Sequence, residues 1–534
     1  GDAVLGKDLP SLAEKYKDKF IFGAFVSQVF YKDAAEAGSN HWVSPQNGES
    51  AEDLYLKQFN QSTTGNSLKP ESAHPYAPSW LAGDPKIGVG FTDIEDMRKG
   101  KMSNEYNFDI PDFIFKKAVE NNLFIHGHSL AWFQQSAAWF ARMVPQGITG
   151  TDFNANGNFI TYGVLSNSGA NTDLNGLSGM DAVGKIQVDK NTARRVLFDH
   201  IVHEMRHYST VDPEYIDKRS SSIGSPGAEP AGSIYVYSWD VLNEEIRSDG
   251  GNADWKLALR NTSWLRAMTG DEWDSISSHY VYLLYKFAHI AIPNQAMVEK
   301  FAANYGSLPD YMKAHGDSSN GDLSKYIQKI NGEIKTPVLY YNDYNLNQSG
   351  KATAAADMIE AVNHAWLSDP LFDGRPLIEG IGMQAHYTSS PALLSQVRSS
   401  LEKFEALTPV NGIPVKIAIS ELDMKSNADA PGGKPETGSG VTTVPWTQLQ
   451  NDAQGYQFAL LFKLFIEHAD HIERITMGGL EDRVNWLWAR HGHTVLFNED
   501  MEANSAYYAA YDPDRFMKKI QAETPVISDY LGKY

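Results

Sequence analysis

The sequence predicts a (β/α)8 TIM barrel, an α/β fold of eight parallel strands each followed by a helix, and three observations predict it. Eight short apolar stretches suited to buried strands recur along the chain. Amphipathic helical patterns lie between them, an alternation that favours a parallel sheet. Polar residues gather where those strands end, the place where such barrels carry their chemistry.

The strand candidates are FIFGAFV (20–26), LYLKQFNQS (54–62), LFIHGHSL (123–130) and IYVYSWDVL (234–242), then PVLYYND (337–343), LIEGIGMQAH (377–386), PVKIAISEL (414–422) and IERITMGGL (472–480). IPDFIFKKAVENN precedes the third. TARRVLFDHIVHEMRHY and ISSHYVYLLYKFAHIAI flank the fourth, AAADMIEAVNHAWL follows the fifth, and DAQGYQFALLFKLFIEHA leads into the eighth. The rhythm breaks at 144–190, where Gly, Asn and Ser turn signals run on without a helix, too long for an ordinary connection. The predicted organisation is therefore a barrel of residues 1–143 and 191–534 with 144–190 inserted after strand three. Residues 218–233 read as a flexible surface loop, and about 297–336 as surface decoration.

Composition removes several function classes. A net charge of −20 with no basic stripe argues against nucleic-acid and anionic-membrane partners, which need clustered Lys and Arg. No run of eighteen apolar residues offers a membrane span, because Lys286 and His289 interrupt the most apolar stretch. The absence of cysteine excludes a disulfide framework and a thiolate nucleophile.

SWDVLNEEI poses the functional question, since a strand rich in aromatic and β-branched residues ends abruptly in Asn243, Glu244 and Glu245. Glu244 closes strand four and Glu421 closes strand seven, so a barrel would aim both at one mouth. Two carboxyl groups on one cleft are the minimum machinery of glycoside hydrolysis: one donates a proton to the leaving oxygen, the other attacks the anomeric carbon or activates water. Each glutamate taken singly could equally belong to a salt bridge. Their company weighs against that: His128, Trp132, Gln135, Asn243, Gln384, His386 and Trp486 supply the amides, imidazoles and indoles that sugar hydroxyls and sugar faces require. Asp343 and Asn345 end strand five. A zinc or iron pocket from His126, His128, His386, Glu421 and Asp423 is the weaker reading, because HxH without HExxH or CxxC spacing is a poor signal. No GxSxG elbow points to a serine hydrolase.

GHSLAWFQQSAAWF, WDVLNEEI, YYNDYN, GIGMQAH and ISELDM, in this order on these strands, resemble glycoside hydrolase family 10, the retaining endo-β-1,4-xylanases, over about residues 20–511. The resemblance implies Glu244 as general acid/base and Glu421 as nucleophile. It also implies Asn243 as the partner of the sugar 2-hydroxyl, His386 bonded to the nucleophile and oriented by Asp423, and Gln384 beside the acid/base. Asn66, Lys69, His128, Trp132, Gln135 and Trp486 would line the glycone side, with Tyr344 on the floor. Glu245 is expected to be a solvated neighbour.

The same resemblance implies xylan and xylo-oligosaccharides as partners, a monomer, no metal or organic cofactor, and a secreted, periplasmic or cell-surface protein, the placement following from the polymeric substrate. Three positions depart from the family pattern. Gly65 stands for a usual glutamate, Phe133 for a common histidine, and Gly478 for the tryptophan that roofs the reacting sugar, with Trp488 a candidate to refill that space. They leave two alternatives open, a hydrolase of another β-linked or heavily decorated glycan and a catalytically weak glycan-binding barrel. DFNANGNF within the insertion resembles the start of a carbohydrate-binding module such as gut-type members carry after strand three; a long loop is the preferred reading.

Overall fold

A computed structural model describes residues 3–74, 106–136, 140, 143–145, 186–208, 220–221, 236–248, 255–260, 267–269, 276–306, 322–330, 333–425, 447–488 and 492–531. Eight parallel strands close on themselves: β1 (Ile21–Val26), β2 (Gln61–Thr64), β3 (Phe124–Trp132), β4 (Val236–Asn243), β5 (Val338–Asp343), β6 (Gly380–Met383), β7 (Lys416–Lys425) and β8 (Ile472–Met477). Each pairs with its sequence neighbours, and β8 returns to β1 through Ile21 opposite Arg474 and Ala24 opposite Met477. The barrel is the fold the alternation predicts.

Helices α1 (Ala51–Gln58), α2 (Asp109–Glu120), α3 (Lys190–His207), α4 (Tyr280–Ala291), α5 (Ser349–Trp366), α6 (Leu393–Glu405), α7 (Gln448–Glu467) and α8 (Ser505–Tyr511) follow the strands in turn. Their apolar faces and the outer faces of the strands form one continuous core. α7 begins in a reciprocal cap, Thr447 accepting from the Gln450 amide while the Gln450 side chain accepts from Thr447 N.

The second strand was misplaced by the apolar pattern. Most of LYLKQF is helix α1, and β2 is the polar tetrapeptide that follows. Ser50 caps α1 through the Glu52 amide, Glu52 and Asp53 occupy its first turn, and burial falls at Ala51, Leu54, Tyr55 and Gln58, which is helical spacing. The four β2 residues are buried although polar, because Gln61 bonds Thr63 and accepts from Thr476 Oγ1 across the barrel.

Strand six is also shorter than predicted: β6 stops at Met383, and a second extended segment, His386–Thr388, follows Ala385 in a left-handed conformation (φ 61°). Part of 297–336 is packed structure, since helix Gln295–Asn304 buries Met297 and Phe301. Met143–Pro145 pairs in parallel with Ile186–Val188, so the two ends of the long excursion after β3 lie side by side. The expectations for 146–185 and for nearly all of 218–233 fall outside the described residues.

Candidate active site

Glu244 is aimed by backbone geometry. Its φ of 57° turns the chain left-handed at the end of β4, and its amide donates to Asn342 O at 2.8 Å. That turn throws the next residue inward, which corrects the expectation for Glu245. Glu245 is 0% exposed, accepts from Tyr280 OH at 2.9 Å, and its carboxyl is pushed up to about 8 by burial. The amides of Glu245 and Ile246 both donate to Tyr341 OH.

The predicted residues converge on one cleft of 1310 Å³. Asn66, Lys69, His128, Trp132, Gln135, Asn243, Glu244, Tyr344, Gln384, His386, Glu421 and Trp486 line it, with Asn345 among them, while Asp423 lies buried behind. Asn342, which sequence reasoning passed over, joins the two acids. Its amide nitrogen donates to Glu421 Oε2 (2.8 Å) and to Asn243 Oδ1 (2.9 Å), and its oxygen accepts from Ser420 Oγ (2.6 Å). Asn243 in turn donates to Glu244 Oε2 at 3.2 Å and accepts from Gln384 at 3.1 Å. Gly382 makes room for this bridge, since a Cβ there would sit 2.3 Å from Asn342 Oδ1. The signal was register: Asn342 lies opposite Asn243 on paired strands.

The surroundings push the two acids in opposite directions. Burial pushes Glu244 up to about 7, with the charges of Asp343 and Glu421 adding to it and Lys351 and Arg260 opposing. Burial acts on Glu421 in the same direction, but His386, His128 and the Asn342 amide outweigh it and hold Glu421 below the usual carboxylate range. His386 stands 3.2 Å from Glu421 Oε1 and 2.8 Å from Asp423 Oδ1. Burial opposes its protonation, yet the two carboxylates raise it to about 10. Asp423 is fixed in turn by Asn485 (3.1 Å) and the Trp486 indole N–H (2.9 Å).

On the other wall Lys69 donates to Asn66 (2.7 Å) and Gln135 (3.0 Å), with its ammonium 4.9 Å from the centre of the Trp132 ring. His128 and His126 both turn to Asp240, at 2.7 and 2.9 Å, rather than toward His386. Asp343 faces away from the cleft in a fully buried pair with Lys351 at 2.8 Å, and Tyr341 OH donates to its other oxygen.

The departures have physical form. Arg260 stacks 3.8 Å over the Phe133 ring and donates to Glu244 O (2.8 Å) and Tyr344 OH (3.0 Å). A Cβ at Gly478 would lie 2.8 Å from Asp423 Oδ2 and from Glu421 O, so this backbone approach requires glycine. Trp488 packs edge-on against His493 and does not line the cleft. Gly65 is under no such pressure, its nearest neighbour being Val26 O at 3.5 Å.

A closed barrel carrying paired acids, Glu244 directly after β4 and Glu421 within the C-terminal half of β7, places this chain in a defined class: it belongs to glycosyl hydrolase family 10, whose model matches residues 11–160 and 326–513, more than half of the chain. Glu421 lies inside the matched residues; Glu244 does not. The chain is 23% identical over 510 residues to endo-1,4-beta-xylanase A of Thermotoga maritima, covering 95% of this chain and 31% of that protein. It is 24% identical over 523 residues to the endo-1,4-beta-xylanase/feruloyl esterase of Xylanibacter ruminicola, covering 95% of this chain and 47% of the other. It thus spans less than half of the length of these curated relatives. The fold matches the crystal structure of a bacterial Ig-like domain containing GH10 xylanase from termite gut, with TM-score 0.58, 23% identity, and coverage of 98% of this chain and 81% of that one.

Proposed function

We propose that the chain is an endo-acting, retaining β-1,4-xylanase. The observation that carries this reading is the pair of acids on one cleft, bridged by Asn243 and Asn342, with Glu244 pushed up and Glu421 held down by their surroundings. The names of the relatives support xylan as the substrate class. In the proposed reaction Glu421 attacks the anomeric carbon as Glu244 gives its proton to the departing glycosidic oxygen, leaving a glycosyl ester on Glu421. Glu244, now ionised, takes a proton from water as that water attacks the anomeric carbon and releases Glu421.

Asn243 would bond the sugar 2-hydroxyl, and His386 with Asp423 keeps Glu421 ionised and oriented. Asn66, Lys69, His128, Trp132, Gln135 and Trp486 bind the glycone, Tyr344 forms the floor, and Gln384 holds Asn243. The turn-rich sequence of residues 144–190, of which 146–185 lie outside the described residues, supports reading them as an insertion. No helix among the described residues is long and apolar enough to cross a membrane; a polymeric substrate favours action outside the cell.

The test is reducing-end release and product sizing on linear xylan, glucuronoxylan, arabinoxylan, mixed-linkage glucan and β-1,3-xylan. Xylo-oligosaccharides are expected from the β-1,4-xylans, with Glu421→Ala lowering kcat by about 10³-fold or more. Release from mixed-linkage glucan alone would favour another β-glycan, the alternative that Gly65 and Gly478 keep open. Binding without release from any polymer would overturn hydrolysis in favour of a glycan-binding barrel.

A further inference from the structure

Arg483 and Lys425 line the cleft, and the proposed reaction uses neither. Each is carried over an indole that also lines the cleft: the Arg483 guanidinium is 5.4 Å from the Trp42 ring centre, and the Lys425 ammonium 6.0 Å from that of Trp486. Among the described residues neither side chain has a carboxylate within ion-pair distance, although acids outnumber cations in this chain by 66 to 46. The acids next to Arg483 are turned away from it. Glu481 is 0% exposed, caps the Asp482–Val484 turn through Val484 N at 2.7 Å, and is pushed up to about 8 by burial and by Asp482. Asp482, also 0% exposed, spends its oxygens on His493, Asn504 and the amides of Thr494 and Val495.

The turn thus buries both acidic side chains and presents one positive charge to the cleft. The backbone that carries its indole platform is fixed too, Trp42 N donating to Val29 O at 2.6 Å and Trp42 O accepting from Ala51 N at 3.1 Å. An indole for a sugar face beside a guanidinium for a carboxylate is the pair of groups a uronic acid presents a match to. Gly478 and Gly479 add no side chain to the adjoining wall.

We propose that Arg483 on Trp42, assisted by Lys425, binds the carboxylate of a glucuronic acid branch, so that acid-decorated xylan is preferred over neutral xylan. The inference rests on the xylanase reading and refines its substrate. The whole-molecule field works the other way, because a net charge of −20 repels an anionic polymer. Any preference for the acid must therefore come from local cations.

The experiment measures kcat/KM for three xylo-oligosaccharides of one length: undecorated, carrying one glucuronic acid, and carrying the methyl ester of that acid. The free acid should exceed its ester by about fivefold, the scale of one exposed ion pair. Arg483→Met should bring the ratio to one or below, and Lys425→Met should lower it in part. An ester cleaved as well as the acid by the unmodified protein would overturn the inference, whatever either variant does to folding, while leaving the xylanase reading intact. Failure to cleave any of the three would overturn that reading and the inference with it.

Discussion

Asp343 shows how a residue that never faces the cleft can set the proposed acid. It is buried against Lys351, and its negative charge is the leading electrostatic contribution that keeps Glu244 protonated. Asp343→Asn would remove that charge and leave the Lys351 ammonium uncompensated, and both changes favour the ionised form of Glu244. The alkaline limb of kcat/KM, expected near pH 7 where Glu244 loses its proton, should move down by about one pH unit. The variant should also lose about 3 kcal/mol of stability, the usual cost of orphaning a buried charge. A pH–rate profile on a xylo-oligosaccharide checks the first, and a limb that stays in place would mean that Asp343 does not act on Glu244. Asp343 was legible in the sequence as a strand-end polar residue, but not its direction: a strand-end position does not say whether a side chain faces the cleft or Lys351 across the β5–α5 turn.

At the scale of elements, pattern and capping compete, and α1 shows which wins. LYLKQF has strand-like composition, yet Ser50, Glu52 and Asp53 ahead of it start a helix. β2 escaped notice because a barrel interior can satisfy Gln61 with Thr63 beside it and with Thr476 from a strand more than 400 residues away in sequence. Helix α7 offers a clean test of capping energy. Thr447→Ala removes one half of its reciprocal cap and should cost about 1 kcal/mol in chemical denaturation, with kcat unchanged because the cap lies outside the cleft. A stability loss below a few tenths of a kcal/mol would mean that packing of the buried α7 face fixes the helix start without the cap.

For the whole molecule, buried acids tie stability to pH. Glu245 and Glu481, both 0% exposed, are raised to about 8 and stay protonated in the fold, whereas in the unfolded chain they ionise near 4.5. Their contribution is fully present below about pH 4.5 and is lost as pH rises through 8, at up to about 1.4 kcal/mol per unit for each group. Glu421, lowered in the fold, acts in the opposite sense at more acidic pH. The thermal midpoint should therefore fall between pH 5 and 8, and Glu245→Gln should flatten that slope; equal slopes in calorimetry for both proteins would show that Glu245 is ionised in the native state.

The sequence by itself determined the closed barrel, through eight apolar runs alternating with helical patterns, and it brought Glu244 and Glu421 to one mouth. It did so because strand-and-helix alternation and strand-end position are local properties of the chain. Only the tertiary structure decided that Glu245 turns inward, that Asn342 bridges the acids, that Gly478 can carry no side chain, and that Arg483 and Lys425 stand over indoles. Each of those depends on groups far apart in sequence that meet only when the barrel closes, and on whether the chain turns left-handed at a strand end.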